Sequence, residues 1–252
     1  MNGHIPGVAF VTGGATGIGK AAALAFAERG DTVVIADTDG ERGEAVVAEI
    51  LEMGRDALFI ATDVRKACDV EDALATTLAR FKRLDYAFNN AGIEGPKAFT
   101  ADYGEDDWDQ VLTTNLKGIF LCMKHQLPIM LRQRRGSIVN MASIAGQIGF
   151  AGTPAYCAAK GGVIQLTKAT ALEYADRGIR VNSLCPAVIQ TEMIDRMTGG
   201  DGRIQNAFAR MHPMQRAGYP EEVADTVMWL CSGASSFITG QAIAIDGGYT
   251  AQ

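Results

Sequence analysis

At 252 residues, 48% apolar and 21% charged, the composition supports a globule with a sizeable core and excludes wholesale disorder. The net charge of -6 argues against nucleic acid as the natural partner, since no face reads as a dense Lys/Arg stripe. The 5 Cys are scattered without a Cys-x-x-Cys pair and read as free thiols of a reducing, cytoplasmic compartment, and the 3 isolated histidines (His4, His125, His212) assemble no metal site.

No apolar run reaches membrane-spanning length, and Met1-Asn2-Gly3-His4 shows no charged leader before an apolar stretch, so neither export nor anchoring is expected. Gly7–Thr12 is predicted as a buried first strand, and Lys20–Glu28 as a helix of good formers ended near Gly30. Between them runs Thr12-Gly13-Gly14-Ala15-Thr16-Gly17-Ile18-Gly19. A glycine-rich turn between strand and helix lets a pyrophosphate approach the backbone, where the helix amino end offers unpaired N–H groups and a positive dipole.

Thr32–Asp37 is predicted as a second buried strand ending in a carboxylate. Asp37 at that point is suited to accept both adenine-ribose hydroxyls and to repel a 2'-phosphate, which favours NAD over NADP. The other reading of Asp37 is a cap for the following helix, and the two are compatible. Glu41–Glu52 reads as an amphipathic helix, Ala57–Ala61 as a third strand, Val70–Phe81 as a helix and Leu84–Asn89 as a fourth strand leading into Asn90-Ala91-Gly92. Trp108–Arg132 is a long helix containing Asn115, and Ser137–Met141 is a fifth strand that runs on to Ser143.

The helix predicted over Thr153–Ala175 carries Tyr156 and Lys160, four residues apart and so on one face. An ammonium about 5 Å from a phenol, at an effective dielectric of about 20, favours phenolate by roughly 3 kcal/mol, or about two pKa units, with desolvation opposing the shift. The pair therefore suits acid–base work, with a Ser143 hydroxyl placed to donate to the same oxygen. Arg180–Cys185 is a sixth strand, followed by Pro186-Ala187-Val188-Ile189-Gln190-Thr191. Glu192–Ala217 has no clean period and holds Met193, Met197, Met211 and Met214, which fit either an apolar lid over a substrate or ordinary core filling. Pro220–Leu230 is the last helix and Gln241–Asp246 a seventh strand. Strands alternating with helices, without repeat or linker, predict one doubly wound α/β domain over 1–252 with a seven-stranded parallel sheet. Right-handed crossovers then gather Gly13, Asp37, Asn90, Ser143 and Pro186 at the strands' carboxyl ends.

In the order and spacing of the glycine segment, Asn89-Asn90-Ala91-Gly92, Ser143 and Tyr156-Cys157-Ala158-Ala159-Lys160, nearly the whole chain resembles the classical short-chain dehydrogenase/reductase family. The resemblance implies a Rossmann-like fold and reversible hydride transfer between NAD(H) and a secondary alcohol or ketone. Tyr156 would exchange the substrate proton, Ser143 polarise the carbonyl, and Lys160 bind the nicotinamide ribose and lower the phenol's pKa. Asn115 would kink its helix and hold a water in a proton path. Asn89 would pin the central strands. Gly13, Thr16, Gly17, Ile18, Gly19, Asp37, Asn90, Ala91, Gly92, Tyr156, Lys160, Pro186, Ile189 and Thr191 would hold the cofactor. Asp63 and Val64 would border the adenine, with a turn or helix cap as the other reading of Asp63.

NADP-preferring relatives carry Arg or Lys where this chain has Thr16 and Thr38; Arg42 is the only nearby cation and reads as a solvated helix residue. Ala187 departs from the family's usual glycine. Glu94, Ser143, Ala145, Gln147, Val188, Met193 and Met197 are the candidate substrate pocket, with 191–217 as substrate loop, suited to a small cyclic or aromatic alcohol, ketone or dihydrodiol. The alternative is 3-oxoacyl-[acyl-carrier-protein] reductase activity, with Arg132, Arg134, Arg135 and Arg177 as a carrier-docking patch. A non-catalytic dinucleotide-binding protein is opposed by the intact Ser, Tyr and Lys. The resemblance also implies a homotetramer, with the helices at Trp108 and Thr153 pairing across one interface and the C-terminal strand region at another.

Overall fold

Each short apolar run becomes a strand because a helix follows it and returns the chain to the same edge, so all pairing is parallel. In the computed structural model, which describes residues 5–252, the strands are β1 (Val8–Thr12), β2 (Thr32–Asp37), β3 (Ala57–Ala61), β4 (Tyr86–Asn89), β5 (Gly136–Met141), β6 (Ile179–Pro186) and β7 (Ala242–Ile245). The sequence features assigned to Met1-Asn2-Gly3-His4 lie outside the described residues. The order across the sheet is β3-β2-β1-β4-β5-β6-β7, every neighbour parallel. The chain builds outward from β1 in one direction and restarts at β4 on its other side, which opens a crevice between the carboxyl ends of β1 and β4.

The pleat divides the core into two layers. Ala9 and Val11 of β1 face α1 (Gly17–Arg29), α2 (Gly40–Glu52) and α9 (Pro220–Leu230). Val8 and Phe10 face α3 (Ala67–Phe81), α5 (Gly118–Gln133) and α6 (Pro154–Tyr174). Burial on both faces explains why the strands read as continuous apolar runs.

Three regions differ from the sequence reading. Helix α1 starts at Gly17, inside the glycine segment, because Thr16 is already an extended N-cap. The helix expected over Trp108–Arg132 starts at Glu105, where Glu105, Asp106 and Asp107 favour an amino end. It is divided into α4 (Glu105–Leu112), a π-helical turn over Thr113–Lys117 that contains Asn115, and α5. The aperiodic Glu192–Ala217 holds two short helices, α7 (Glu192–Thr198) and α8 (Gly202–Arg210), separated by Gly199 and Gly200 in left-handed conformation. Among the described residues no helix is long and apolar enough to cross a membrane.

The middle of the sheet is pinned by polar side chains. Asn89 Nδ2 donates to Asn140 Oδ1 across β4 and β5 at 2.9 Å, and Asn89 and Gln126 exchange a reciprocal pair at 3.1 and 2.8 Å. Asn140 Nδ2 donates to Thr167 Oγ1 of α6 at 3.0 Å. All four residues are fully buried, so each missing partner would leave a desolvated polar group. Asn89→Ala orphans Gln126 and removes an acceptor and a donor at once. We expect it to lower unfolding stability by about 3 kcal/mol, read as a shift of the urea midpoint at unchanged slope.

Candidate functional site

A cleft of about 480 Å³ lies at the carboxyl ends of β1, β4, β5 and β6, within the range of small-molecule and cofactor sites. Its floor begins at the glycine turn. Gly13 has φ +63°, and a Cβ there would sit 2.9 Å from Ala91 Cα; a Cβ on Gly19 would run into the Gly13 carbonyl. Gly19 therefore packs the turn together without lining the cleft, whereas Gly13, Thr16, Gly17 and Ile18 line it. Asn90 clamps this turn to β4, donating to the carbonyls of Thr12 and Gly13 at 3.1 and 3.0 Å. The Thr12 hydroxyl accepts in return from the N–H groups of Asn90 and Ala91. The amino end of α1 has no acidic residue in its first turn and no side-chain cap on Thr16, so its N–H groups and dipole face the cleft uncompensated. This glycine cradle fits the pyrophosphate of a dinucleotide.

At the end of β2, Asp37 lines the cleft, accepting from Ala15 N at 3.0 Å and Asp39 N at 3.1 Å. Its alternative role belongs to Asp39, which caps α2 through Arg42 N. Asp63 and Val64 also line the cleft. Asp63 closes its own turn by accepting from Arg65 N at 3.0 Å, which is the turn reading of this residue. The Arg65 guanidinium grips the same carboxylate and pulls Asp63 below the usual carboxylate range. Arg65 is a cleft-lining cation that sequence reasoning missed; its place just after a strand end was the available signal. Arg42 is an exposed residue of α2, as expected, and is ion-paired to Glu192 of α7 at 2.6 Å.

Ser143, Tyr156 and Lys160 converge at the middle of the cleft. Ser143 has extended backbone (φ -170°) and caps a short 3-10 turn, its Oγ accepting from Ala145 N at 3.2 Å. Lys160 is 2% exposed, and its Nζ donates to the Met141 carbonyl at 2.8 Å. That Nζ lies 5.5 Å from the Tyr156 ring centroid, as the one-turn spacing on α6 predicts. Desolvation works against the electrostatic expectation: it raises the Tyr156 phenol to about 12, a rise that the Ser143 hydroxyl opposes and the Glu94 carboxylate adds to. The same desolvation lowers Lys160 to about 8, so in the chain by itself burial is the largest influence on both groups.

Asn115 is fully buried in the π turn, and both ends of its amide are engaged by one residue. Its Oδ1 accepts from Ile93 N and its Nδ2 donates to Ile93 O, each at 2.8 Å. The side chain thus pins the backbone that follows Gly92, instead of lining the cleft.

Across the cleft, Pro186, Ala187, Ile189, Thr191 and Met193 form the opposite wall. Ile93, Gln110, Ile194 and Arg196 complete it, residues that sequence reasoning did not single out. Arg196 is ion-paired to Glu94 at 3.1 Å across the mouth. Ala145 is buried behind Ser143, Gln147 is exposed and turned toward the Ala242 carbonyl, and Val188 opens into a neighbouring cavity. Met197 and Glu94 do not line the cleft itself. Among the described residues no group of three or more His, Cys, Asp or Glu is gathered to hold a metal ion.

Comparison with known proteins agrees with this geometry. A family model with the description Enoyl-(Acyl carrier protein) reductase, of the short-chain dehydrogenase/reductase type, matches residues 13–250. The chain is 40% identical to the cyclohexanol dehydrogenase of Acinetobacter sp. (strain SE19), covering 97% of this chain and 95% of the relative. It is 41% identical to the 3-oxoacyl-[acyl-carrier-protein] reductase of Synechocystis sp., covering 96% of both. Among solved structures, that of levodione reductase superposes with a TM-score of 0.94 at 36% identity, covering 97% of both chains. With the family model over residues 13–250 and relatives about 40% identical over nearly the whole chain, the chain belongs to the classical short-chain dehydrogenase/reductase family of oxidoreductases.

Proposed function

We propose that the protein is an NAD(H)-dependent oxidoreductase that interconverts a secondary alcohol and a ketone on a small, cyclic substrate. The observation that carries this reading is the convergence of Ser143, Tyr156 and Lys160 in the same cleft as the glycine cradle and Asp37. A nicotinamide cofactor supplies the hydride acceptor or donor when bound. Gly13, Gly17 and the amino end of α1 would hold its pyrophosphate, Asp37 its adenine ribose, and Lys160 its second ribose. Tyr156 takes the hydroxyl proton in oxidation and returns it in reduction, while Ser143 hydrogen-bonds the substrate oxygen. Asn115, by fixing Ile93, keeps the end of β4 in place beside Lys160.

The walls at the substrate end are mostly apolar, with Ile93, Met193 and Ile194 and one ion pair at the mouth. Such walls suit a compact ring, and the likeness to a cyclohexanol dehydrogenase supports the same class. The 3-oxoacyl carrier reading has a relative at 41% identity behind it, against 40% for the cyclohexanol dehydrogenase, but a poorer fit to this chain. Arg132, Arg134 and Arg135 precede β5, and Arg177 precedes β6, so the patch lies at the amino edge of the sheet, away from the cleft. Arg135 and Arg177 are also ion-paired, to Asp85 and Asp176. A carrier docked there reaches a cleft only on another copy of the chain. An exposed apolar groove formed by Leu112, Leu116, Phe120 and Leu166 supports pairing of such copies through α4, α5 and α6, as a homotetramer requires. Free thiols and the lack of a membrane-length helix among the described residues fit a cytoplasmic enzyme.

Turnover of cyclohexanol, a linear secondary alcohol and a 3-hydroxyacyl thioester, each with NAD and with NADP, tests the reading; preference for the thioester would overturn the substrate class. Tyr156→Phe is expected to lower kcat/KM about a thousandfold while leaving the Kd for NAD within about threefold. Wild-type kcat/KM should favour NAD over NADP by about a hundredfold, and Asp37→Ser should narrow that ratio at least about tenfold. Lys160 carries a penalty of burial. Its folded pKa, about 8, is below its ordinary 10.5, so the buried charge destabilises the fold fully below about pH 8, and the penalty fades as pH rises to 10.5. Lys160→Met should therefore abolish turnover yet raise unfolding stability on the order of 2 kcal/mol at pH 7, with the gain shrinking through that window in denaturant titrations.

A further inference from the structure

The cleft wall between Pro186 and Thr191 is thin. Ala187 borders the cleft on one side and a second cavity of about 320 Å³ on the other, lined also by Val188, His212, Asp246 and the Arg216–Glu222 pair. Behind Ala187 and Val188 the stretch is therefore not backed by packing; Ile189 is anchored in the core, and the placement of the two residues before it depends on hydrogen bonds. Ala187 N donates to Ile245 O at 3.1 Å, Gly218 N to Val188 O at 2.9 Å and Gln190 N to Gly218 O at 2.9 Å. The Val188 N–H, midway along the wall, goes to a side chain, His212 Nε2, at 3.4 Å.

His212 is built for that task. It is 2% exposed, just beyond the last turn of α8, with its ring edge against Tyr249 at 5.4 Å. Its Nδ1 lies 2.9 Å from the Phe208 carbonyl and 3.2 Å from that of Ala209. Carbonyls only accept, so the proton sits on Nδ1 and leaves the Nε2 lone pair for Val188. The imidazole is thus fixed in tautomer and orientation by its own turn, and its free acceptor meets the wall. We propose that His212 is a positioning residue: by holding the Val188 N–H it fixes the wall carrying Ala187 and Ile189, and it serves cofactor binding more than the chemical step. This rests on the reading of the cleft as a nicotinamide dinucleotide site. It also links the α7–α8 segment over the substrate end to the cofactor wall, through a contact neither helix periodicity nor motif spacing reveals.

The test compares full-length wild type, His212→Phe and His212→Gln by titration with the nicotinamide dinucleotide that the wild type binds and by steady-state kinetics. Phe keeps the ring and loses the acceptor; Gln places a carbonyl oxygen near the Nε2 position without the ring. In His212→Phe, Kd and KM for the dinucleotide should rise about tenfold with kcat within about threefold, and His212→Gln should restore both constants to within about threefold of wild type. Wild-type constants in His212→Phe would overturn the proposal. So would an equal loss in both variants accompanied by a lowered thermal midpoint, which marks a role in folding alone. Wild type that binds the dinucleotide but turns over no alcohol would sink the proposed function while leaving the His212 comparison in force through its titration arm.

Discussion

The site depends on one close approach, that of the turn after β1 to the end of β4. Two peptide segments that belong to different halves of the sheet meet there, because Gly13 leaves room for Ala91 and for the Asn90 amide, and Gly19 lets the turn close on Gly13. Asn90 and Thr12 then tie the segments together with four hydrogen bonds. Those bonds hold the amino end of α1 beside Ala91 and Gly92, so that the dipole end and the catalytic end of the cleft share one rigid floor. A larger residue at Gly13 or Gly19 would separate the halves and leave Asp37, on β2, misaligned with Lys160, behind β5. The polar ladder of Asn89, Asn140, Gln126 and Thr167 does the same work one layer deeper, fixing β4 against β5 and both against α6.

Much of this was legible in the sequence because it rests on short-range rules. Apolar runs with helices between them give a parallel sheet, and a carboxylate at the end of β2 or a serine past β5 falls at the carboxyl edge by topology alone. Tyr156 and Lys160 share a face because α-helices turn in 3.6 residues. What escaped the sequence depends on partners distant in the chain. The π turn at Asn115 closes around an amide that bonds Ile93, a pairing no periodicity encodes. The ion pairs Arg42–Glu192 and Arg196–Glu94 join residues 150 and 102 apart in sequence, and α7 itself was hidden by a stretch whose apolar residues face a cleft instead of a core. Gln147 and Val188 were placed by their nearness to motif residues, and the backbone turns each of them elsewhere.

The protonation states of the central pair show where spacing is not enough. Separation alone favours phenolate beside ammonium, but Lys160 is buried and Tyr156 half-buried, and desolvation shifts both toward neutrality. The groups that flank the phenol act on it in opposite senses: the Ser143 hydroxyl opposes the rise, and the Glu94 carboxylate, itself ion-paired to Arg196 at 3.1 Å, adds to it.

The Arg196–Glu94 pair joins α7 to the segment after β4. Helix α7 is attached on one side by Arg42–Glu192 and on the other by Arg196–Glu94, and both pairs are substantially exposed. Exposed pairs contribute about 0–1 kcal/mol each, so neither holds α7 down firmly. Its ends are marked by Thr191, an extended N-cap, and by Gly199 and Gly200 in left-handed backbone. The floor is held differently, by four hydrogen bonds between the turn after β1 and the end of β4. A hydrogen-bonded floor under a wall attached by exposed ion pairs separates two demands that conflict in a single rigid pocket: fixed geometry beside Tyr156, and access past Met193 and Ile194.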